Sequence, residues 1–229
     1  MHILTPFEFL ARFPTGQRVV FVGNGPSLKG EKLGDWIDSH DIVVRFNESP
    51  SKEHTVDLGG RTHILVSNPY PIDRRFPELS DGSAIVVISP QTRRPPTPQF
   101  TEWIGGHPVL FTYAPDLVQV GDIEHTASLT TGTYGLHLLS RILQPSHASV
   151  TGFTMFLQDT AHHYSSNVRP AGLHAHDPSV EASILVSICN SIRAPLTVTG
   201  ELDWVARTVG KKMKSGIEIR TLSNGRWQT

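Results

Sequence analysis

Short runs rich in β-branched residues alternate with longer amphipathic stretches, and this alternation limits the possible folds more than any other feature of the sequence. The runs occupy residues 18–22, 41–46, 63–66, 84–89, 108–112, 148–151 and 196–199. Strands that alternate with helices form a mainly parallel sheet with helices packed on its faces. The sequence therefore predicts an α/β fold, Rossmann-like, with a mostly parallel central sheet flanked by helices. It also predicts one domain that spans residues 1–229.

Two stretches between these runs have the spacing of amphipathic helices. Residues 132–143 and 179–192 place leucines and isoleucines, respectively, three or four positions apart, which puts them on one helix face. Pro145 and Pro195 follow the two stretches and predict where the helices end.

Charge and hydropathy exclude several classes of partner. Lys and Arg total 20 against 21 Asp and Glu, so no overall field attracts nucleic acid. Residues 1–14 lack the basic and apolar regions of a signal peptide, and no stretch is long enough to span a membrane. We therefore expect no nucleic-acid partner.

The single cysteine, Cys189, cannot form a disulfide within the chain, so the cytoplasm is the simplest location. Residues 211–220 are basic at first and then alternate like an edge strand. That segment leaves open a peripheral contact with the inner membrane, although a solvated surface explains it as well. The sequence does not indicate an oligomeric state.

A glycine-rich turn follows the first apolar run directly. Residues 18–22 lead into Gly23, Asn24 and Gly25, and open α/β sheets bind ligands at the carboxyl ends of their strands. Glycine lets backbone amides approach a phosphate closely, and a helix expected next would direct its positive end towards it. The turn therefore favours a nucleotide site, although the same pattern also serves simple tight turns.

The dinucleotide fingerprint is incomplete at this turn. Leu28 stands where the third glycine of Gly-x-Gly-x-x-Gly belongs. Glu48, just after the second run, could still bind a ribose. A nucleotide-dependent oxidoreductase of the Rossmann type therefore remains one alternative, and a non-catalytic nucleotide-binding module is another.

The residues after the second run carry a more specific pattern. Residues 41–47 read Asp-Ile-Val-Val-Arg-Phe-Asn, and residues 57–62 read Asp-Leu-Gly-Gly-Arg-Thr. Together with the Gly-Asn turn, the span 20–62 resembles the large sialyl motif of animal sialyltransferases. In that motif an apolar strand and a Gly-Asn turn precede an Asp-x-Val-x-Arg-x-Asn strand and an Asp-Val-Gly-x-Arg-Thr segment.

The resemblance continues along most of the chain, from residue 20 to about residue 192. Thr130, Thr131 and Gly132 open an apolar helix, and the following strand ends at Gly152, as in the small motif of the family. Residues 161–167 read Ala-His-His-Tyr-Ser-Ser-Asn and resemble its aromatic-histidine motif. The His-x4-Glu spacing of its very short motif is also present. The histidine motif is closest to sialyltransferases that modify galactosides.

The family resemblance implies a compact, bacterial-type catalytic core, similar to glycosyltransferase family 29 with a GT-A-like sialyltransferase fold. Such an enzyme is metal-independent and inverts the sugar that it transfers. The implied donor is the CMP conjugate of a sialic acid or a related ulosonic acid such as Kdo, so CMP-sialic acid and CMP-Kdo both remain candidates. The implied acceptor is a hydroxyl of a glycan or glycolipid.

The same resemblance assigns catalytic roles to three residues. His176 is the candidate base that removes the proton from the acceptor hydroxyl, and histidine suits this role because its ordinary pKa is about 6.5. His163 would donate to the departing phosphate, and His162 could exchange roles with it. Glu181 would orient His176 or cap the start of the helix that it lies in.

The resemblance also implies which residues bind the CMP donor. Asn24 and Asn47 would hold its phosphate or ribose, and Tyr164 would lie beside His163. Hydroxyls and backbone amides at a helix start suit phosphate or cytosine recognition. Threonine at this position is also an ordinary helix cap, which needs no ligand. The implied donor-binding residues are Gly23, Asn24, Gly25, Asn47, Thr130, Thr131, Gly132, Gly152 and Tyr164.

A zinc site is the alternative for the histidine-rich segment, because residues 162–176 contain four histidines and imidazole is a common zinc ligand. The sequence has no Asp-x-Asp motif, and only residues 201–203, Glu-Leu-Asp, come close to one. A CMP sugar has a single phosphate, whose leaving charge neutral donors and one histidine can meet without Mg²⁺. We therefore expect no metal and no cofactor.

Overall fold

A computed structural model gives the fold of the chain. It describes residues 1–47, 52–69, 79–89, 96–113, 118–120, 123–125, 129–157 and 177–223. Among these described residues, no helix has both the length and the apolar character needed to cross a lipid bilayer.

Eleven strands occur in the described residues, and nine of them form one sheet in which every neighbouring pair is parallel. In chain order they are β1 (His2–Ile3), β2 (Arg18–Val22), β3 (Ile42–Phe46), β4 (Ile64–Ser67), β5 (Ala84–Ser89), β6 (Pro108–Tyr113), β7 (Val118–Val120), β8 (Ile123–His125), β9 (His147–Thr151), β10 (Leu196–Thr199) and β11 (Glu218–Arg220). The sheet has the order β1-β6-β5-β4-β3-β2-β9-β10-β11, while β7 and β8 form a separate antiparallel pair.

In the part of the chain that the structure describes, seven α-helices connect and cover the strands. They are α1 (Pro6–Arg12), α2 (Gly34–Asp38), α3 (Thr55–Leu58), α4 (Pro98–Gly105), α5 (Thr131–Leu143), α6 (Pro178–Ser191) and α7 (Gly200–Thr208). The described residues also include two short 3₁₀ turns, Pro26–Leu28 and Lys52–His54, which follow β2 and β3 in the sequence.

The structure confirms the predicted α/β fold, and all seven predicted strands are present with ends within one residue of the prediction. The two predicted helices correspond to α5 and α6, and each begins one residue earlier than expected. The predicted edge strand is β11, which pairs in parallel with β10. The sheet is more regular than expected, because all nine of its strands run in one direction.

The continuous apolar runs reflect burial on both faces of the sheet. In β2, Val19 and Phe21 pack with residues of α5, α6 and α7, while Val20 and Val22 pack on the other face beside α2 and α3. None of these four side chains is more than 1% exposed. A strand covered on both sides reads as an unbroken apolar run, which explains why the sequence indicated it so clearly.

The order of the strands reverses between β2 and β9. From β2 the chain proceeds through β3, β4, β5 and β6 on one side, whereas β9, β10 and β11 lie on the other. Loops that leave two such neighbouring strands in opposite directions open a crevice at their carboxyl ends, and open α/β sheets bind ligands there. The turn after β2 and the turn after β9 therefore lie where the fold favours a binding site.

Candidate functional site

The turns that follow β2 and β9 are in direct backbone contact. The amide of Gly23 donates to the carbonyl of Thr151 at 2.8 Å, and the amide of Gly25 donates to the carbonyl of Gly152 at 2.7 Å. A Cβ atom on Gly23 would lie 2.4 Å from the Gly152 oxygen, and one on Gly25 would lie 2.6 Å from it. These positions therefore need glycine because the two backbones pass so close together.

This contact changes the interpretation of the glycines. The expectation that the amides of Gly23 and Gly25 face a phosphate is not supported, because both already donate to carbonyls of the chain. The expected helix after them is wrong as well, since Pro26–Leu28 form a single 3₁₀ turn. Gly30 and Lys32 have left-handed backbone, with φ of 82° and 53°, which ends the segment before a longer helix can form.

An asparagine follows each of the strands β2, β3 and β4, and the three side chains form hydrogen bonds that connect the ends of these strands to one another and to α5. The side-chain amide of Asn24 donates to the carbonyl of Phe46 at 2.6 Å. The side-chain oxygen of Asn47 accepts from the amide of Asn68 at 3.4 Å, and the side-chain amide of Asn68 donates to the hydroxyl of Thr131 at 3.2 Å. Asn24, Asn47 and Thr131 therefore lie at one edge of the sheet.

Asn68 was not among the predicted site residues. Its position directly after β4 matches the position of Asn47 directly after β3, and this repeat in the sequence could have identified it. Asn47 itself has left-handed backbone, with φ of 61°, a conformation that asparagine tolerates better than most residues. All three asparagine side chains remain partly exposed, so a ligand can reach them.

The start of α5 joins the same edge. Thr130 caps the helix, because its hydroxyl accepts from the amide of Thr133 at 3.4 Å. Gly132 lies against the ring of Phe153, where a Cβ would come within 3.1 Å of a ring carbon. Phe153 also packs edge-on against Phe46, with ring centres 5.5 Å apart. The predicted turns at residues 23–25, 130–132 and 152 are thus brought together.

Glu181 connects the starts of two helices. It is only 3% exposed, and its carboxylate accepts from the amide of Thr130 at 2.7 Å. The start of its own helix is capped by Asp177, which accepts from the amides of Ser179 and Val180. The prediction that Glu181 caps the start of its own helix is therefore wrong, because Asp177 does so and the carboxylate of Glu181 binds the start of α5 instead. Its predicted contact with His176 falls outside the described residues.

The remaining predicted site residues also fall outside the described residues. They are His162, His163, Tyr164 and His176, together with Glu48 of the oxidoreductase alternative and the whole histidine-rich segment of the zinc alternative.

The charged residues of the large motif hold its two halves together. The guanidinium of Arg45 is 2% exposed and donates to the carbonyl of Leu58 at 2.6 Å and to that of Arg61 at 3.0 Å. Burial lowers the pKa of Arg45 to about 10, so this side chain stays charged at neutral pH. The carboxylate of Asp57 accepts from the amides of Gly30 and Lys32 at 2.7 and 3.0 Å. These two side chains therefore hold the backbone segments of the large motif in place.

A buried carboxyl group that the sequence did not single out as a site residue lies behind the Gly152 turn. Glu201, in the first turn of α7, is fully buried, and its Oε1 accepts from the amide of Gly152 at 2.6 Å. Burial raises the pKa of Glu201 to about 7. Asp203 pairs with Arg207 at 3.2 Å, so the two acids that loosely resembled a metal motif have different partners.

Comparison with known proteins points to one family. The model of Glycosyltransferase family 29 (sialyltransferase) matches residues 14–93, which include the glycine turn after β2 and both halves of the large motif.

Individual relatives agree with this match. The chain is 30% identical over 203 residues to an alpha-N-acetylneuraminide alpha-2,8-sialyltransferase of Bos taurus, covering 75% of this chain and 55% of that protein. It is 28% identical over 202 residues to the protein of the same name in Xenopus tropicalis, covering 75% and 56%. A human CMP-N-acetylneuraminate-beta-1,4-galactoside alpha-2,3-sialyltransferase is 36% identical over 73 residues, covering 32% and 19%. The chain spans about half the length of the alpha-2,8 relatives.

A solved structure shares the fold. The crystal structure of a mammalian sialyltransferase matches with a TM-score of 0.51 and 21% sequence identity, covering 79% of this chain and 68% of that one. A likeness at this identity establishes a common architecture of sheet and helices.

Proposed function

Because the chain belongs to the sialyltransferase family, glycosyltransferase family 29, we propose that it transfers a sialic acid or a related ulosonic acid from its CMP conjugate to a glycan hydroxyl. The relatives are named as sialyltransferases, which makes CMP-sialic acid the first donor to test and CMP-Kdo the second. The reaction is proposed to invert the sugar and to need no metal ion.

One observation carries this proposal. Three turns that the family resemblance assigns to the CMP donor meet at the point where the strand order reverses, between β2 and β9. Asn24, Asn47 and Thr131 present amide and hydroxyl groups at this edge. Such neutral donors and acceptors suit a phosphate and a ribose, and a crevice at a strand reversal is where nucleotides bind in open α/β sheets.

We further propose that the chemistry is performed by two histidines. His176 takes the proton of the acceptor hydroxyl, and His163, with Tyr164 beside it, donates to the phosphate of the departing CMP. The oxygen of the acceptor forms a bond with the anomeric carbon as the bond from that carbon to the CMP oxygen breaks. Family membership and the motif spacing support these roles.

The proposed location is the cytoplasm, with a peripheral membrane contact through residues 211–220 if the acceptor is a glycolipid. The only thiol of the chain, Cys189, is buried in α6, where burial raises its pKa to about 12. A thiol of this kind is unreactive, and the proposal is supported by the single cysteine, which cannot form the internal disulfide that is typical of oxidising compartments.

CMP is expected to raise the melting temperature, whereas NAD should not. A ligand that binds only the native state at about one hundred times its Kd stabilises it by about 2.7 kcal/mol, which corresponds to roughly 5 °C or more for a chain of this size. The measurement is a thermal melt with CMP, NAD and buffer alone. A shift with NAD and none with CMP would favour the oxidoreductase alternative.

Product analysis then separates an enzyme from a binding module. Incubation with CMP-sialic acid or CMP-Kdo and a panel of glycans should give free CMP and a product heavier by the mass of one sugar, with no loss of rate in EDTA. A protein that binds CMP without releasing it from either donor would be a binding module, and inhibition by EDTA would indicate a metal.

Replacing Asn47 by glycine is expected to weaken CMP binding by roughly tenfold, because it removes a polar side chain from the proposed site. Glycine is the informative replacement, since Asn47 has a φ of 61° and any residue with a Cβ would add backbone strain. Calorimetric titration with CMP gives the affinity. Equal affinities for the variant and the wild type would remove Asn47 from the donor site.

A further inference from the structure

Glu201 is held in an environment that normally disfavours a carboxyl group. Its side chain is fully buried at the junction of β9, β10 and α7. Oε1 accepts two short hydrogen bonds, from the amide of Gly152 and from the hydroxyl of Thr199, both at 2.6 Å. Oε2 has no hydrogen-bond partner among the described residues. Burial of a carboxyl group with half of its capacity unused costs stability, so its presence calls for an explanation.

The surrounding hydroxyls fix the direction of the carboxyl group. The hydroxyl of Thr151 lies 2.8 Å from that of Thr199, which in turn lies 2.6 Å from Oε1 of Glu201. The Thr199 hydroxyl lies within donating distance of both oxygens, so its single proton is shared between Thr151 and Glu201. This chain of hydrogen bonds aims Oε1 at the Gly152 amide.

The Gly152 peptide is also in direct contact with the turn after β2. Gly152 has left-handed backbone, with φ of 77°, and its carbonyl accepts from the amide of Gly25 at 2.7 Å. Glu201 therefore holds the amide of Gly152, and the carbonyl of the same residue holds Gly25. Asn24, between Gly23 and Gly25, reaches from this turn to the end of β3.

We propose that Glu201 is a positioning residue of the donor site, which fixes the Gly152 peptide and through it the turn that carries Asn24. This inference rests on the proposed function, since it assumes that the turn binds CMP. Glu201 itself lies in the interior and does not touch the nucleotide. The stability that is lost by burying the carboxyl group is explained by this role, because the carboxyl group fixes the geometry of the turn.

Two substitutions at Glu201 separate its hydrogen bonds from its bulk. Glu201→Gln keeps a carbonyl oxygen for Gly152 and Thr199, so CMP affinity should stay within about threefold of the wild type. Glu201→Leu fills a similar volume without an acceptor, and it should weaken CMP binding by roughly tenfold. The leucine variant leaves two buried donors without their acceptor and is expected to melt at a lower temperature, so its CMP affinity is measured below that temperature.

Val205→Ala is the matched control. Val205 is also fully buried in α7, one turn after Glu201, and its truncation leaves the Gly152 amide paired. This variant should melt at a lower temperature but bind CMP like the wild type when measured below its melting point. An affinity loss equal to that of Glu201→Leu would show that any weakening of α7 affects the site, and would overturn the specific role of Glu201.

Amide hydrogen exchange in the ligand-free protein tests the positioning step independently of CMP. Exchange at residues 150–153 should be at least tenfold faster in Glu201→Leu than in the wild type, while Val205→Ala leaves it nearly unchanged. Unchanged exchange in Glu201→Leu would overturn the inference. If the wild type binds no CMP, the proposed function fails, and faster exchange would still establish that Glu201 holds the Gly152 peptide.

Discussion

Replacement of His176 by alanine is expected to lower the transfer rate by roughly a hundredfold or more and to leave CMP binding nearly unchanged. A general base accelerates proton removal by about 10²- to 10⁴-fold, and its loss affects kcat rather than the affinity for the nucleotide. His176 directly precedes Asp177, the cap of α6, and that helix is joined to the proposed donor site by the bond from Glu181 to Thr130. The rate is measured as CMP release, and binding by calorimetry.

His174→Ala is the control for this experiment, since it removes an imidazole from the same segment two positions earlier. It should retain most of the transfer rate. Unchanged turnover in His176→Ala would remove this residue from the mechanism. Comparable losses in both variants, together with inhibition by EDTA, would instead favour the zinc alternative.

Replacement of Gly23 by alanine is expected to destabilise the protein by about 3 kcal/mol or more and to lower its melting temperature by roughly 10 °C. The added Cβ would lie 2.4 Å from the oxygen and 2.9 Å from the carbon of the Gly152 carbonyl. Both are backbone atoms, so the end of β2 and the end of β9 would have to separate. Thermal or denaturant unfolding gives the change in stability.

Gly105→Ala provides the comparison, because a Cβ on this last residue of α4 meets nothing within 4 Å. Alanine favours a helix more than glycine does, so this variant should be as stable as the wild type or slightly more stable. A Gly23→Ala protein that melts like the wild type would contradict the close backbone contact on which the geometry of the site depends.

The sheet could be predicted from the sequence because its strands are covered on both faces. Residues 19–22 and 84–88 are unbroken apolar runs of strand length, which is typical of parallel strands buried on both faces. The order of the strands could not be obtained in the same way, since nothing in residues 147–151 indicates that they pair with β2 and β10.

The position of the candidate site could also be predicted from the sequence, but the contacts that its residues make could not. The motifs placed Asn24, Asn47 and Gly152 in one site, and the structure brings them together. The reason for the glycines was missed, because it lies in the close approach of two segments that are far apart in the sequence. The contacts of Glu181 with Thr130 and of Glu201 with Gly152 are also long-range, and no local pattern encodes them.

The central position of β2 has a consequence for the synthesis of the protein. Arg18 pairs with His147, so the partner strand on that side is made only after much of the chain has left the ribosome. Until then Val19, Val20, Phe21 and Val22 form an open edge that can pair with another nascent chain. The yield of soluble protein should therefore depend on the rate of translation and on chaperones, even for variants whose folded state is unchanged.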